Sequence, residues 1–387
     1  MKIFLQCSEY PPGPHGGIGT LVQLLARGLV RSGHQVKVGG IHPREYPAPD
    51  REIDQGVEVF RFREPPGRFS WVPARIRFFR RLSRWSAAGD IDLIEVPDYG
   101  APAAGWPSLP VPVLARLSGS ASFFAAEMGR KLKREFYLEL ASLRRADFWC
   151  SESEYMAAKT RALYKLRSPP SAIIYNPVDL PDLTPESDRC RRRVVFAGTL
   201  TEKKGIIPLV QAWPRVHAAC PDAELHMWGE DTLDAKRGSM QEFLLSQVPA
   251  EAASSIRFHG RVPLDELLKE FHTARLAVLP SFAEGFALMP LHAMAAACPT
   301  VYTARGSGPE LIQDGVNGLL IDPGRPEEIA TAILRLLQDD DLAVRLGRAG
   351  REHVKENFSL DKIIERNEEL YEDCVRRFHG RTSSLAS

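Results

Sequence analysis

The sequence predicts an α/β protein made of two Rossmann-like domains, each built on a doubly wound parallel sheet. Short apolar runs bounded by turn residues alternate with longer helical patterns, which is typical of βαβ units. The alternation occurs in both halves of the chain, on either side of a proline-containing polar segment near residue 185. The length of 387 residues is sufficient for two domains of about 150–200 residues, each with its own core.

The first half is predicted to alternate between strands and helices. Its strands are 2–7, 35–38, 57–62, 93–96, 111–117, 148–150 and 172–175, and its helices lie near 19–32, 74–87, 121–145 and 153–164. The last strand ends in NPVD at 176–179, and LPDLTP at 180–185 is followed by a polar run to residue 193. Prolines and polar residues of this kind indicate a linker. We therefore expect a first domain over residues 1–182 and a second over 190–357.

The second half repeats the pattern and then becomes helical. Its predicted strands are 193–196, 224–228, 256–258, 276–279, 300–302 and 318–321. Helical stretches separate them, which again predicts a doubly wound sheet. Two mostly polar helices follow residue 340, the last over about 360–377, and no strand comes after it. We expect residues 358–387 to form a C-terminal helix that packs back on the first domain, followed by a tail.

Charge and cysteine content exclude several classes of protein. Residues 1–179 contain 25 basic and 18 acidic residues, a net charge of +7, and the remainder contains 25 and 31, a net charge of −6. Such asymmetry can attract an anionic acceptor or a membrane surface to the first domain, but it can equally be a balance of solvated charges. A nucleic-acid binder would be strongly basic, whereas the two halves of this chain nearly cancel to a net charge of +1, so the composition does not indicate nucleic-acid binding. The six cysteines form no CxxC pair and no zinc spacing, which suggests a reducing compartment.

The sequence shows no targeting or membrane-spanning segment. The N-terminal run is too short for a signal peptide, and no run of about 18 apolar residues is present. We expect a cytoplasmic protein. Contact with the cytoplasmic face of a membrane is kept open because arginines at 75, 77, 80, 81 and 84 alternate with apolar residues, as in a basic amphipathic helix. Such a helix more often packs its apolar stripe on the sheet.

A glycine-rich loop, GPHGGIGT at 13–20, follows the first strand and precedes a helix. Glycines let the backbone approach a phosphate closely, and the helix N-terminus favours its negative charge. The same glycines would also suit a tight turn without a ligand. Gly13, Gly17 and Gly19 also match the spacing of short-chain dehydrogenases, whose serine, tyrosine and lysine would be Ser142, Tyr155 and Lys159.

The dehydrogenase alternative fits the chain poorly. In those enzymes the first glycine follows the strand almost directly, whereas five residues, SEYPP at 8–12, intervene here and Pro14 stiffens the loop. This alternative also leaves the second α/β domain without a role. Tyr155 and Lys159 are then ordinary surface residues one helical turn apart.

Two further motifs follow predicted strands of the second domain. The segment FAGTLTEKKG at 196–205 places a lysine pair at a glycine turn and a helix start, where an ammonium suits a diphosphate leaving group. The segment PSFAEGFALMPLH at 280–292 places Glu284 and the amides of 285–288 at the mouth of a helix. Ligands bind at this edge of open α/β sheets. Alternatively, the lysines belong to a solvated turn, and Glu284 only complements the helix dipole.

Taken together, these segments resemble glycosyltransferase family 4, the retaining group 1 enzymes of the GT-B fold, whose two domains face a central cleft. The resemblance covers nearly the whole chain in order and spacing. It rests on the following segments: PPG with GGIG at 11–19, Ser153, NPVD at 176–179, Gly198 with Lys204 and Gly205, PSFAEGF at 280–286, and GPE with DG and NG at 308–318.

The resemblance implies a donor site for a nucleotide-diphosphate-sugar, with a UDP- or GDP-sugar expected as co-substrate and no other cofactor. Glu284 would face the donor sugar and Lys204 would bind the diphosphate, which makes these two the expected catalytic residues. The remaining implied donor contacts are Gly17, the backbone amides of Phe286, Ala287 and Leu288, and, near the nucleotide base, Gly229, Arg261 and Val262.

Three further donor positions depart from the family pattern. His292 replaces the second glutamate of the Glu-x7-Glu motif, Thr199 replaces an arginine, and Ser118 replaces a histidine of the first domain. Neutral imidazole can hydrogen-bond a ribose diol, but one of its nitrogens is a donor, whereas both oxygens of an ionised glutamate are acceptors. We expect a subfamily with altered donor contacts; a sugar-nucleotide-binding homologue without turnover is the alternative.

The expected function is therefore transfer of a sugar to a hydroxyl acceptor with retention of configuration. The acceptor would be a glycan, a lipid-linked sugar or a small molecule, and no nucleic acid is expected as a partner. Asp90 and Asp92 imitate the metal-binding Asp-x-Asp of the other glycosyltransferase fold but lie at a strand opening, so no catalytic metal is expected. No general base is assigned; His15 and His292 are nearby candidates.

Overall fold

The structure, a computed structural model, describes residues 1–67, 70–182, 190–234 and 238–385. The chain divides into two compact units, one of Met1–Pro177 with Leu360–Ser387 and the other of Val178–Ser359. Each unit contains one mainly parallel sheet with helices packed on it. The predicted pair of doubly wound α/β domains is thus confirmed. Residues 183–189, which fall in the predicted linker, lie outside the described residues.

The first unit contains a seven-stranded sheet in the order β3-β4-β2-β1-β5-β6-β7. Its strands are β1 (Lys2–Gln6), β2 (Gln35–His42), β3 (Arg51–Asp54), β4 (Val57–Arg63), β5 (Leu93–Pro97), β6 (Val113–Leu117) and β7 (Phe148–Ser151). Its helices before the second unit are α1 (Gly17–Arg31), α2 (Trp71–Ala87), α3 (Ala121–Glu127), α4 (Glu135–Arg145) and α5 (Glu154–Tyr164). The strand order reverses between β1 and β5, which makes the carboxyl edge there a switch point.

The second unit contains a parallel sheet in the order β12-β9-β8-β13-β14-β15 and a short antiparallel pair of strands, β10-β11. The strands are β8 (Cys190–Ala197), β9 (Glu224–Trp228), β10 (Leu233–Asp234), β11 (Gly238–Ser239), β12 (Ile256–Gly260), β13 (Ala274–Leu279), β14 (Thr300–Thr303) and β15 (Leu319–Ile321). The helices are α6 (Ile206–Ala219), α7 (Met240–Leu245), α8 (Ala250–Ala253), α9 (Leu264–Thr273), α10 (Leu288–Ala295), α11 (Gly308–Leu311), α12 (Pro326–Gln338) and α13 (Asp340–Asn357). Here the order reverses between β8 and β13.

The last helix, α14 (Leu360–Leu385), is longer than predicted and belongs to the first unit. Its residues Ile363, Ile364 and Tyr371 are buried in the same core cluster as α1. The approach is close at Gly28, where a Cβ atom would lie 2.5 Å from Ile364 Cδ1. Among the described helices, none is long and apolar enough to cross a membrane.

Two predicted elements of the first unit differ in the structure, and one strand of that unit was not predicted. The predicted helix 121–145 is two helices, α3 and α4, because Gly129 adopts φ +62° and ends the first of them. The predicted strand 172–175 forms only a single parallel bridge, from Ile173 to Ser151. Strand β3 (Arg51–Asp54) was not predicted, since a charged antiparallel edge strand carries no apolar run.

Helix α2 buries the apolar stripe that its sequence indicates. Its buried residues include Ala74, Phe78 and Leu82. Two of its arginines are held by the first unit itself: Arg75 Nη2 donates to the carbonyls of residues 101, 102 and 104, and Arg77 Nη2 donates to the Arg63 carbonyl at 2.8 Å. Membrane contact through this helix stays a prediction.

Candidate active site

The lysine turn follows the first strand of the second unit. After β8, a 3₁₀ turn (Glu202–Lys204) ends at Gly205, whose φ is +70°, and α6 begins at the next residue. A Cβ atom on Gly205 would lie 1.8 Å from the Pro280 carbonyl oxygen. Only glycine therefore lets this turn pack against the backbone after β13. The Phe282 amide also donates to the Lys203 carbonyl at 2.7 Å, which joins the two loops.

The structure brings Lys204 and Glu284 together. Lys204 Nζ lies 2.5 Å from Glu284 Oε1, although the residues are 80 positions apart in sequence. Their side chains are 21% and 11% exposed, so solvent reaches both only in part. The pair forms because β8 and β13 are neighbours at the switch point of the sheet, and each residue follows the carboxyl end of its strand. A cation and a carboxylate thus stand side by side where such sheets bind ligands.

The three residues expected to offer amides lie at the start of α10. The helix begins at Leu288, and its N-cap, Ala287, provides no side-chain cap. Phe286 is buried and its ring packs on Phe358 at a centroid distance of 5.7 Å, so its side chain is a core group. Any contact that Phe286 makes with a donor must come from its backbone. The positive end of the helix macrodipole at this point favours a negatively charged group.

His292 lies one turn further along α10, and it is buried. Burial lowers the pKa of its imidazole to about 4, so the ring is neutral near pH 7. Its Nδ1 atom is buried and has no hydrogen-bond partner among the described residues. A neutral ring has one donor and one acceptor nitrogen, which is compatible with a hydroxyl partner and incompatible with the pure acceptor role of a glutamate.

The expected base region lies at three neighbouring strand ends. The Gly229 amide, after β9, donates to the Gly260 carbonyl at 2.8 Å, and a Cβ atom on Gly229 would lie 1.9 Å from the Gly198 carbonyl oxygen. Glycine is required because Gly229 has φ +154° and packs directly on the neighbouring turn. Thr199 and Arg261 are exposed and Val262 is half-buried at this edge.

In the first unit, the glycine-rich loop contains glycines of two kinds. A Cβ atom on Gly19 would lie 2.1 Å from the Glu9 carbonyl oxygen, so packing requires that glycine. Apart from its chain neighbours and the backbone of its own helix, a Cβ atom on Gly17, the first residue of α1, would meet no atom within 4 Å among the described residues. Packing therefore does not explain why glycine is present at position 17. His15 Nδ1 donates to the Gly13 carbonyl at 2.8 Å within the same loop.

Replacing Gly17 with alanine is expected to lower the rate of transfer by about 10- to 100-fold if this residue approaches the donor, since small misplacements of a substrate are costly. The midpoint of thermal unfolding should not fall, because the new methyl group has room. The matched control is Gly19→Ala, which should destabilise the fold by colliding with the Glu9 carbonyl. Unchanged initial rates in Gly17→Ala would remove the residue from the site.

Ser118 lies within a buried acidic network at the carboxyl ends of β5, β6 and β7. Its hydroxyl donates to Glu152 Oε1 at 2.5 Å and its amide donates to Asp98 Oδ1 at 2.9 Å. Asn176 Nδ2 donates to the other oxygen of Glu152 at 3.0 Å. Burial raises the pKa of Asp98 and of Glu152, each to about 7. Ser153, by contrast, caps α5 by accepting from the Met156 amide.

The free energy of unfolding is expected to fall as pH rises from about 4 to about 8, to the extent that these two carboxyls control it. Each is protonated more readily in the folded chain than in the unfolded one, so its contribution is complete below its unfolded pKa and lost as pH passes its folded pKa. For Glu152, a pKa raised from 4.5 to about 7 corresponds to roughly 3 kcal/mol.

Urea denaturation across this pH range checks the expectation. Glu152→Gln should flatten the dependence of the unfolding free energy on pH, and the exposed Glu45→Gln serves as control. An identical slope in native protein and Glu152→Gln would mean that the pKa of Glu152 is the same in the folded and the unfolded chain.

The alternative dehydrogenase residues do not form a catalytic group. Tyr155 Oη donates to Glu127 Oε2, and Lys159 Nζ lies 3.4 Å from the other oxygen of Glu127. Burial and Glu127 raise the pKa of Tyr155, whereas a tyrosine that acts as a general acid or base near pH 7 needs a lowered one. Ser142 is buried on α4 and accepts a hydrogen bond from the Ala103 amide.

Of the two aspartates in the Asp-x-Asp sequence, one hydrogen-bonds to the sheet and the other is exposed. Asp92 Oδ2 accepts a hydrogen bond from the Lys2 amide at 2.7 Å, which positions the start of β1, and Asp90 is exposed. Among the described residues, no three His, Cys, Asp or Glu side chains are grouped so that they could hold a metal ion.

Three site features were missed by the sequence interpretation. Asp98 and Glu152 directly follow β5 and β7, so their position after a strand was the available signal. Tyr302, in β14, is buried with no described partner for its hydroxyl, and burial together with Glu284 raises its pKa well above the usual value. No sequence pattern marks that tyrosine as a neighbour of Glu284.

Comparisons with known proteins match both units. The family model described as Glycosyltransferase Family 4 matches residues 15–181, and the model described as Glycosyl transferases group 1 matches residues 191–339. A glycogen synthase of Mycobacterium tuberculosis is 26% identical over 401 aligned residues, which cover 96% of this chain and 94% of the relative.

Solved structures share the fold along almost the whole chain. The sucrose-phosphate synthase from Thermosynechococcus elongatus superposes with a TM-score of 0.79 at 22% identity, covering 96% of this chain and 98% of the other. Anabaena HepE in complex with UDP-glucose superposes with a TM-score of 0.72 at 18% identity, covering 96% and 100%. These TM-scores show that the proteins share a fold, and at identities this low they show the fold alone.

Proposed function

The chain belongs to the family 4, group 1 glycosyltransferases, and we propose that it transfers a sugar from a nucleotide-diphosphate donor to a hydroxyl acceptor with retention of anomeric configuration. A UDP- or GDP-sugar is the proposed donor. Support comes from HepE, whose structure contains UDP-glucose. The relatives also include enzymes named glycogen synthase and D-inositol 3-phosphate glycosyltransferase.

The contact between Lys204 and Glu284 is the observation that carries the proposal. The resemblance assigns the lysine to the diphosphate and the glutamate to the sugar, and their side chains lie 2.5 Å apart. The bond that breaks in a sugar nucleotide is the one between these two parts of the donor. A donor bound with its diphosphate on Lys204 and its sugar on Glu284 would therefore have the reacting bond between them.

The proposed step needs charge stabilisation and positioning more than proton transfer by the protein. The acceptor oxygen forms a bond to the anomeric carbon on the face that the diphosphate leaves, and the bond from that carbon to the diphosphate oxygen breaks. The acceptor proton passes to the departing diphosphate. Lys204 and the first amides of α10 would stabilise the negative charge that develops there, and Glu284 would orient the sugar.

Gly17 and Ser118 remain proposed donor contacts of the first unit, and Gly229, Arg261, Val262 and Thr199 those of the base side. The proposal includes no metal, because Lys204 and the helix N-terminus supply positive charge for the diphosphate. His292 is the proposed ribose contact, as a neutral ring.

A thermal-shift screen against UDP-, GDP- and ADP-sugars tests the proposal. A ligand that binds only the folded state raises the unfolding midpoint, and the increase grows with the logarithm of the ratio of its free concentration to its Kd. One sugar nucleotide is expected to stabilise the protein, equally well with and without EDTA, and to be consumed when an acceptor is added. Absence of any shift with all sugar nucleotides would contradict the proposal.

A binding homologue without turnover is the second candidate, and the buried neutral His292 is the observation that favours it. Such a protein would bind a sugar nucleotide but neither transfer nor hydrolyse the sugar. Release of free nucleotide diphosphate during long incubation with the stabilising donor would exclude it.

A further inference from the structure

The first unit contains a cavity of about 410 Å³ at the carboxyl edge of its sheet. Gln6 at the end of β1, Ile41 in β2 and Pro97 at the end of β5 contribute to its lining, and the first turns of α2 close one side. The volume falls within the range of about 300–1,000 Å³ found for small-molecule sites. The carboxyl edge of an open α/β sheet is also where such sites occur.

The cavity adjoins the glycine-rich loop of the same unit. Ile18, which follows Gly17, and Glu9 both line it. Glu9 Oε1 accepts a hydrogen bond from the Gly19 amide at 2.8 Å, so this glutamate joins the loop to the cavity wall. A molecule bound in the cavity would therefore lie next to the loop that is proposed to approach the donor.

Four aromatic side chains contribute to the cavity lining. Phe78 and Trp106 are buried behind it, with ring centroids 6.2 Å apart. Trp71 and Tyr99 also line it, but they are 55% and 56% exposed. Large aromatic side chains that line a cavity while remaining half exposed can still bury area against a ligand. Their electron-rich faces suit the C–H groups of a sugar ring, whose carbons carry a slight positive charge.

The charges in the cavity are unfavourable for an anionic ligand. Glu9 and Glu64 line it together with a single arginine, Arg75. Arg75 Nη2 already donates to the carbonyls of residues 101, 102 and 104 at 2.8–3.1 Å. In the described part of the chain, no ion pair joins Glu9 or Glu64 to a lysine or arginine. A phosphate would face two carboxylates, whereas sugar hydroxyls can donate to both.

We propose that this cavity binds the acceptor and that the acceptor is an uncharged sugar or glycoside. Its ring stacks on Trp71 and Tyr99, and its hydroxyls donate to Glu9 and Glu64. The inference rests on the proposed function, since only a transferase needs an acceptor. It narrows the acceptor to carbohydrates without a phosphate group on the ring that occupies the cavity.

Saturation-transfer NMR with the full chain tests the proposal directly. The probes are glucose, mannose and galactose with their methyl glycosides, each compared with the corresponding hexose 6-phosphate. We expect neutral probes to bind, and the double variant Trp71→Ala Tyr99→Ala to weaken binding at least about tenfold, the usual effect of removing buried aromatic contacts. Trp71→Phe should bind nearly as well as the native protein. The control Tyr137→Ala removes an aromatic residue that is 72% exposed outside the cavity.

Three results would overturn the proposal: no neutral probe binds, a hexose phosphate binds more tightly than its parent sugar, or the double variant binds as the native protein does. The sugar-nucleotide thermal shift is measured on the same samples. Donor stabilisation that is equal in native and double-variant proteins, with no neutral-sugar binding, rejects the acceptor inference alone. Absence of donor stabilisation, with neutral sugars bound at Trp71 and Tyr99, rejects the proposed function instead.

Discussion

Replacing Lys204 with alanine is expected to lower kcat for sugar transfer by about 100- to 1,000-fold, the usual cost of removing one preorganised group that stabilises a developing negative charge. The lysine is the cation that contacts Glu284, and its turn is fixed against Pro280 through Gly205. Because the interaction strengthens as the diphosphate leaves, kcat should fall more than donor affinity does. Initial rates at saturating donor give the measurement.

Two further variants make this result specific. Lys269→Ala removes an exposed lysine of α9 in the same unit and should leave kcat unchanged. Glu284→Gln keeps the size of the side chain and removes its charge, so it should also lower kcat while the thermal midpoint stays near that of the native protein. Full activity in both Lys204→Ala and Glu284→Gln would show that the site has been assigned to the wrong residues.

The largest loss of stability is expected where α14 meets the first sheet. Arg116 on β6 donates to both oxygens of Glu95 on β5, at 2.7 and 2.8 Å, and to Asn367 Oδ1 on α14 at 2.5 Å. Tyr371, also on α14, donates to Glu95 Oε2 at 2.8 Å. All four residues are buried. Glu95→Ala would leave the Arg116 guanidinium buried without its carboxylate, which costs about 3–5 kcal/mol.

Urea denaturation measures this loss, and a surface ion pair of the same helix supplies the comparison. Arg376 and Asp373 form such a pair, with side chains 75% and 32% exposed. Arg376→Ala should change the unfolding free energy by less than about 1 kcal/mol. Similar stabilities for Glu95→Ala and Arg376→Ala would mean that the buried network does not hold α14 on the sheet.

Elements with a strong apolar pattern could be predicted from the sequence. Strand β9 (Glu224–Trp228) has the predicted bounds, and β13 (Ala274–Leu279) begins two residues earlier than predicted. The errors fall where local pattern and tertiary contact disagree. The charged β3 (Arg51–Asp54) is a strand because it pairs with the edge of β4, and the break between α3 and α4 depends on one glycine conformation.

The residues of the second-unit site were identified by the family resemblance, and the structure brings two of them, Lys204 and Glu284, into contact. The hydrogen-bond partners of Ser118 could not be predicted from the family resemblance or from a local motif. Its partners Asp98 and Glu152 follow different strands, and Asn176, which donates to Glu152, lies in a later loop, so no short motif contains these residues. The cavity of the first unit could not be read from a short motif either, since its lining comes from β1 and the loop after it, α1, β2, α2 and the segment after β5.

The sequence by itself therefore determined the two α/β units, most of their strands and the glycines and charged residues that follow those strands. These features depend on local periodicity and turn chemistry, which a short window of residues contains. Only the tertiary structure decided that Lys204 contacts Glu284, that Asp98 and Glu152 share a buried network, and that Trp71 and Tyr99 line one cavity. Such contacts join residues far apart in the chain, and they form because parallel strands bring their carboxyl ends to one edge of a sheet.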